Sequence, residues 1–234
     1  MDSLVGIDWR AAWQAHNRAR PEPGDSACWD ARSESYREHS CKSPYAATFL
    51  SYLGLSPGES VLDMGSGPGV LAIPLARAGH PVIAADFSAG MREAALARAE
   101  EEQLDNIQVK ALDWNEDWIK AGILPKSVDV AIASRSTMVD DLADAFLKLD
   151  RTARSKVALT MVTEYEPKGY KPLGSEQGSR EPYVPDFVFG VNLLLQLGAY
   201  PELRYINITQ DKGQENKAHF VSWAYIAWKP ITKD

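Results

Sequence analysis

The chain of 234 residues is short of several things, and each shortage removes a class of protein. Its two cysteines, Cys28 and Cys41, are too few for a disulfide framework, and even with His39 between them their spacing fits no common zinc pattern. Two ordinary thiols of a reducing compartment, and no metal site, are therefore expected. No apolar run approaches the roughly 20 residues that span a bilayer. The opening residues, MDSLVGIDWRAAW, contain no signal-like hydrophobic segment, so a cytoplasmic location and no membrane partner are expected. Positive charge is also in deficit, with 25 Lys and Arg against 32 Asp and Glu and a net charge of -7. A nucleic-acid partner favours a basic face, which this balance argues against. There is no internal repeat or low-complexity tract, and no feature sets an oligomeric state.

What the chain does have is one dense stretch, Ser60 to Gly69 (SVLDMGSGPG), within a composition that is 45% hydrophobic and sufficient for one good core. Val61 to Met64 reads as the first strand of an α/β sheet, and Val70 to Arg77 as the helix behind it. Gly65, Gly67 and Gly69 lie between them at G-x-G-x-G spacing. Glycine suits a sharp turn that needs positive φ and close approach of a ligand to the backbone. Such a turn at the carboxyl end of a parallel strand is where open α/β sheets bind ligands.

Before this stretch, Asp8 to Arg20 reads as a short amphipathic helix, broken by Pro21 to Asp25. A second helix is expected over about Trp29 to Glu38, with Trp29, Arg32 and Tyr36 on one face, either sealing the sheet edge or covering a ligand. A third runs from Tyr45 to Leu53. Residues 1–55 thus form a helical N-terminal cap and 56–234 the main α/β domain, the two as one compact unit.

After the turn, strand and helix alternate. Pro81 to Asp86 (PVIAAD) is a second strand with Asp86 at its tip, 17 residues after Gly69. A carboxylate there can accept from both hydroxyls of a ribose, or it can cap the helix starting near Gly90 and Met91, a task open equally to Ser88. Asn106 to Ala111 is a third strand, followed by Asp113 and Trp114, which can accept from and cover a purine or simply make a capped turn with Trp118. Val128 to Ser134 (VDVAIAS) is apolar enough for a central parallel strand. Then come a helix over Val139 to Thr152, a strand over Lys156 to Val162, and a helix over Pro185 to Leu197. Tyr205 to Thr209 and Phe220 to Trp228 close the sheet as an antiparallel pair. The stretch 164–184, rich in Gly, Pro, Lys and Glu, reads as a long irregular linker.

VLDMGSGPG, the acid of AADFSAGM, LDW after a third strand and VDVAIAS occur in the order seen in class I S-adenosylmethionine-dependent methyltransferases, and the chain resembles that family from about residue 45 to 228. A nicotinamide fingerprint would need glycine where Val70 stands. The resemblance implies a Rossmann-like, seven-stranded, mostly parallel sheet with helices on both faces, an antiparallel last strand and a helical cap. It implies S-adenosylmethionine as cofactor. Gly65, Gly67 and Gly69 then lie against its methionine part, and Asp86 holds its ribose. Phe87 contacts the adenine, Asp113 and Trp114 read its edge and face, and Ser134 lines the space beside the methyl group; Asp63, Ser66 and Met91 are cofactor-binding candidates with no part of the cofactor assigned. Trp29, Arg32 and Tyr36 resemble cap positions at the methionine end, where an arginine pairs the carboxylate; a surface ion pair of Arg32 with Glu34 or Glu38 is the other reading.

Ser134-Arg135-Ser136-Thr137 stands where amino methyltransferases acting on bases carry Asn or Asp before Pro-Pro and an aromatic residue, so base methylation is demoted. Asp140 and Asp141 fall at a helix start rather than in a metal cluster. His39, Glu164 and Tyr165 are the candidate general bases, and none is assigned as catalytic. The reading is methyl transfer to a small-molecule acceptor by alignment and in-line displacement. The rivals are an RNA or protein methyltransferase, served by Lys168, Lys171 and Arg180, and a non-catalytic protein that binds the cofactor or its demethylated product.

Overall fold

A computed structural model describes residues 6–19, 25–33, 43–163, 184–210 and 219–231. Near the N-terminus, α1 (Trp9–Arg18) is capped by Asp8, whose carboxylate accepts from Ala11 N at 3.0 Å. Asp25 caps α2 (Ser26–Asp30) in the same way through Cys28 N at 2.9 Å. Helix α2 ends in a turn at 31–32, after which Ser33 is again helical; residues 34–38 of the helix expected over about Trp29 to Glu38 lie outside the described residues. Tyr36, His39, Cys41, Glu34 and Glu38 lie outside the described residues. Helix α3 (Tyr45–Leu53) stops at Gly54, which takes the left-handed conformation at φ +57.

Strands β1 (Val61–Met64), β2 (Val82–Asp86), β3 (Ile107–Ala111), β4 (Val128–Ser134) and β5 (Ala153–Val162) run parallel. Between them come α4 (Ala72–Arg77), α5 (Ala89–Glu101) and α6 (Leu142–Thr152). Helix α7 (Asp186–Gln196) leads into β6 (Glu202–Gln210) and β7 (His219–Trp228), with β7 antiparallel to both β5 and β6. The sheet order is β3-β2-β1-β4-β5-β7-β6. The chain therefore builds outward from β1 on one side and then returns to lay β4 on the other, so the strand order reverses between β1 and β4. In open α/β sheets this reversal leaves a crevice at the carboxyl ends of the two strands.

Alternation along the central strands explains the two cores. Leu62 and Met64 of β1, with Ala131 and Ala133 of β4, pack with Trp13, Phe146, Leu149 and Phe189 from α1, α6 and α7. Val61, Val130 and Ile132 face the other way, against Tyr45, Phe49 and Leu53 of α3 and Leu75 of α4. Both faces are covered, which is why these strands read as unbroken apolar runs.

The cap helices are bound into this framework. Trp13 is fully buried, and its Nε1 donates to Val139 O at 2.7 Å, with Asn17 Nδ2 on the same carbonyl at 3.4 Å. Val139 belongs to the loop between β4 and α6. Truncation of Trp13 to alanine removes both the buried ring and that bond. The expected cost is about 3–5 kcal/mol of unfolding free energy, measured by urea denaturation.

Candidate active site

A cleft of about 610 Å³ opens at the β1/β4 reversal, over the carboxyl tips of β1, β2 and β4. Its floor is the turn after β1. Three successive amides of that turn fold onto the tip of β2: Gly65 N and Ser66 N donate to Ala85 O at 2.7 and 3.0 Å, and Gly67 N donates to Asp86 Oδ2 at 2.8 Å. Gly65, Gly67 and Gly69 all have positive φ, of +71, +54 and +78, but for different reasons. A Cβ on Gly65 would stand 2.3 Å from Ser136 Cβ, and one on Gly69 would stand 2.8 Å from Ile73 Cγ1. On Gly67 it would meet nothing nearer than Met91 Sδ at 3.8 Å, so only Gly67 presents bare backbone to open cleft. Gly69 does not line the cleft at all. A side chain there would meet Ile73 of α4.

Asp86 is nearly buried, and its second oxygen accepts from Ser88 N at 2.9 Å. Burial pushes its pKa up, opposed by the Ser88 and Gly67 amides and by Arg92. The helix cap is Ser88, whose hydroxyl accepts from Met91 N at 3.1 Å. Asp86 therefore latches the glycine turn instead of capping α5, and each of its oxygens keeps a further lone pair.

Asp63 and Ser66 are the electrostatic anomaly. They are 1% and 5% exposed and line the cleft, yet neither Asp63 oxygen nor the Ser66 hydroxyl has a hydrogen-bond partner. Burial, with the Asp86 charge adding to it, lifts Asp63 to about 7, and the Ala72 amide relieves this in part from outside hydrogen-bonding geometry. Buried acceptors left without donors are costly, and they mark a place where a donor-bearing ligand is accommodated.

Around this floor the structure gathers Trp29, Arg32, Phe87, Met91, Asp113, Trp114 and Ser134 as lining residues. Phe87 stays 40% exposed, an open apolar face beside Asp86. One Asp113 oxygen accepts from Asn115 N at 2.7 Å, so the capped-turn reading holds for part of that carboxylate. Trp118 is the core member of its pair, whereas Trp114 is half-buried and reaches the cleft. Arg32 lies over the Trp29 ring at 5.5 Å. The Ser134 hydroxyl meets Tyr45 OH at 2.7 Å, and Tyr45 OH meets Thr160 Oγ1 at 2.6 Å.

Sequence reasoning passed over three contributors. Asp30 of α2 accepts from Ser88 Oγ at 2.5 Å and Gly90 N at 2.9 Å, tying the cap to the start of α5. Ser136 donates to Met64 O at 2.8 Å and fills the space that excludes a side chain at Gly65. Arg135, named in the sequence only as part of the strand tip, lines the cleft in a left-handed conformation. Asp30 lies 58 residues from Ser88, and no local pattern signals such a partner. Among the described residues no group of His, Cys, Asp or Glu could hold a metal ion, and no helix is long and apolar enough to cross a membrane.

Residues 61–156 match the family model of a methyltransferase domain. An uncharacterized protein of Haemophilus influenzae is 32% identical over 183 residues, covering 76% of this chain and 65% of that one, so the chain spans slightly under two thirds of that relative's length. The crystal structure of a SAM-dependent methyltransferase from Aquifex aeolicus has a TM-score of 0.61 at 17% identity, covering 89% of this chain and 100% of that one. A precorrin-6y C5,15-methyltransferase from Geobacter metallireducens gives 0.58 at 17% identity, over 78% of this chain and 86% of that one. At these identities the solved structures establish likeness of fold. Residues 61–156 thus match a methyltransferase domain, and the fold is like that of the SAM-dependent methyltransferases among these solved structures.

The three glycines separate structure from binding. Gly65→Ala combines left-handed strain with the Ser136 clash and should cost about 2–4 kcal/mol of stability. Gly67→Ala should stay closer to wild type in denaturation while S-adenosylhomocysteine binding drops at least about tenfold by calorimetry. Unchanged affinity in Gly67→Ala would remove that backbone from the ligand's path.

Proposed function

We propose that the protein transfers a methyl group from S-adenosylmethionine to a small-molecule acceptor. The observation that carries the reading is the pair of buried, donorless groups, Asp63 and Ser66, beside the bare backbone of Gly67. Together they suit a cation bearing several N–H donors, which is what the α-ammonium of the family's cofactor offers. Arg32, beside Trp29, would take the carboxylate of the same methionine part. The remaining Asp86 lone pairs suit the ribose hydroxyls. Phe87, Met91 and Trp114 supply apolar surface for the adenine, and the second Asp113 oxygen an acceptor for its amine. Tyr36 belongs to the same proposal from outside the described residues.

When bound, S-adenosylmethionine supplies a methyl group already activated by its sulfonium leaving group. The chain's own task is then to align the acceptor and exclude water. Ser134, held by the Tyr45 hydroxyl that Thr160 holds in turn, forms a fixed wall at the acceptor end, with Met138 and Val139 as apolar neighbours. No catalytic base is assigned. His39, Glu164 and Tyr165 lie outside the described residues, as do Lys168, Lys171 and Arg180, on which an RNA or protein acceptor would rely. The net charge of -7 and the small number of cysteines support a small acceptor and a cytoplasmic setting.

Incubation with methyl-labelled S-adenosylmethionine and separate small-molecule, RNA and protein pools should label the small-molecule pool alone. Label in RNA or protein would overturn the acceptor class, and no label despite cofactor binding would mean a non-catalytic binder.

The raised Asp63 value gives a second check. The neutral acid is the form the folded chain tolerates. Stability from this group is therefore complete below its ordinary value of 3.8 and is lost as pH rises toward about 7. A bound ammonium reverses the preference, because it favours the carboxylate. S-adenosylhomocysteine affinity should rise with pH by up to about tenfold per unit until roughly pH 7 and then level off, with proton release seen by calorimetry in two buffers. Asp63→Asn should flatten that profile.

A further inference from the structure

Three hydroxyls in contact run from the core into the cleft beside the tip of β4. Tyr45 OH lies 2.6 Å from Thr160 Oγ1 and 2.7 Å from Ser134 Oγ. Thr160 is fully buried at one end and Tyr45 is buried in the middle. Ser134, at the other end, is half-buried and lines the cleft. The two oxygen–oxygen contacts use two of the three hydroxyl hydrogens, so the third must project from one end of the series.

The buried end is closed to it. Thr160 Oγ1 already accepts the Arg135 amide hydrogen at 3.1 Å, and among the described residues its hydroxyl has no acceptor other than Tyr45. Were Tyr45 to donate to Thr160, the Thr160 hydrogen would be left buried without a partner, the costlier arrangement. The favoured order therefore has Thr160 donating to Tyr45 and Tyr45 donating to Ser134. Burial pushes the Tyr45 phenol above its ordinary value of 10.0, more than the Arg135 charge lowers it, so Tyr45 keeps its proton and its place as a donor. The Ser134 hydrogen is then the one directed at the cleft.

A hydroxyl held in this way accepts on one side and offers a hydrogen on the other. An amine nucleophile spends its single lone pair on the methyl group and has none left to receive that hydrogen. An oxygen nucleophile, or an enolate attacking through carbon, keeps a lone pair on oxygen for it. A fixed donor beside an oxyanion is worth more in a water-excluded site than in water.

We infer that Ser134 is a catalytic residue that donates to an oxygen of the methyl acceptor, that Tyr45 positions it, and that the acceptor is a small hydroxylic or enolic compound reacting as its oxyanion. This rests on the methyl-transfer reading above. The acceptor's proton is lost to water beforehand. Through its oxygen, or through the carbon conjugated with it, the oxyanion forms the bond to the methyl group as the carbon–sulfur bond breaks and leaves its electron pair on sulfur. The two charges cancel, and Ser134 retains its hydrogen.

The test incubates the full chain with carbon-13-methyl S-adenosylmethionine and a small-molecule extract, and locates the methyl group in the product by proton–carbon correlation spectra. Methyl on oxygen, or on a carbon conjugated with one, supports the inference. Methyl on nitrogen, on sulfur or on any other carbon overturns it while leaving methyl transfer standing, whereas the absence of any labelled product overturns both. At saturating cofactor and limiting extract, Ser134→Ala should label roughly 10- to 100-fold more slowly than wild type, the scale of a lost charge-assisted hydrogen bond, and should bind S-adenosylhomocysteine within about twofold of it. Ser134→Thr, which keeps the hydroxyl, should recover part of that rate. Tyr45→Phe, which keeps the buried ring, should lose roughly 3- to 10-fold by itself and nothing more once residue 134 is alanine, because it acts through Ser134. Wild-type labelling by Ser134→Ala, or a loss matched by an equal loss of cofactor affinity, would overturn the role of Ser134. Additive losses in the double variant would overturn that of Tyr45.

Discussion

Everything at the carboxyl edge of the sheet depends on the turn after β1 being folded down onto the tip of β2. The Gly65, Ser66 and Gly67 amides all point the same way, toward Ala85 O and Asp86 Oδ2. Three consecutive amides can converge in this manner only if the backbone passes through left-handed conformations, which Gly65 and Gly67 supply at φ +71 and +54. The convergence has a cost. It draws Asp86 into a nearly buried position and leaves Asp63 and Ser66 beneath the turn without donors. Such groups are costly to bury, and an apolar residue at Asp63 would be easier to accommodate.

The same carboxylate connects the turn to the cap. Asp86 receives Ser88 N, Ser88 caps α5, and Ser88 and Gly90 in turn donate to Asp30 of α2. Gly90 must be small here, since a Cβ would stand 3.1 Å from Asp30 Cα. At the opposite wall, α1 grips the loop 139–141 through Trp13, Asn17 and the Arg10–Asp141 ion pair. That pair is largely exposed and contributes little by itself, so the buried indole bond and ring do most of the holding. The N-terminal helices thus clamp both walls of the cleft, and a disturbance of either is expected to reach the site through named contacts.

The cleft also has a charge polarity that the overall charge of -7 conceals. Its acids cluster where the chain turns after β1 and β2, and its two lining arginines occupy the cap and the β4 tip.

Much of this was readable from local pattern. The apolar runs of β1, β2 and β4, the glycine spacing, the terminal acid of β2 and the order of the motifs all follow from interactions within a few residues, and they led to the sheet, its antiparallel end and most residues of the cleft. What local pattern could not show was non-local. Gly69 looks like its two neighbours in sequence, yet a side chain on it would meet Ile73 of α4. Asp30 of α2 meets an element 58 residues away. The left-handed turn at Arg135 and its stacking on Tyr45 and Trp223 require strands and helices far apart in the chain to be in place first. The sequence by itself therefore determined the kind of fold and the half of the site built from one turn and the strand tips beside it, because hydrophobic period and glycine conformation are local properties. Only the tertiary structure decided which acids lack donors, which glycine is bare and where the arginine at the β4 tip is held, because burial and packing are properties of the assembled chain.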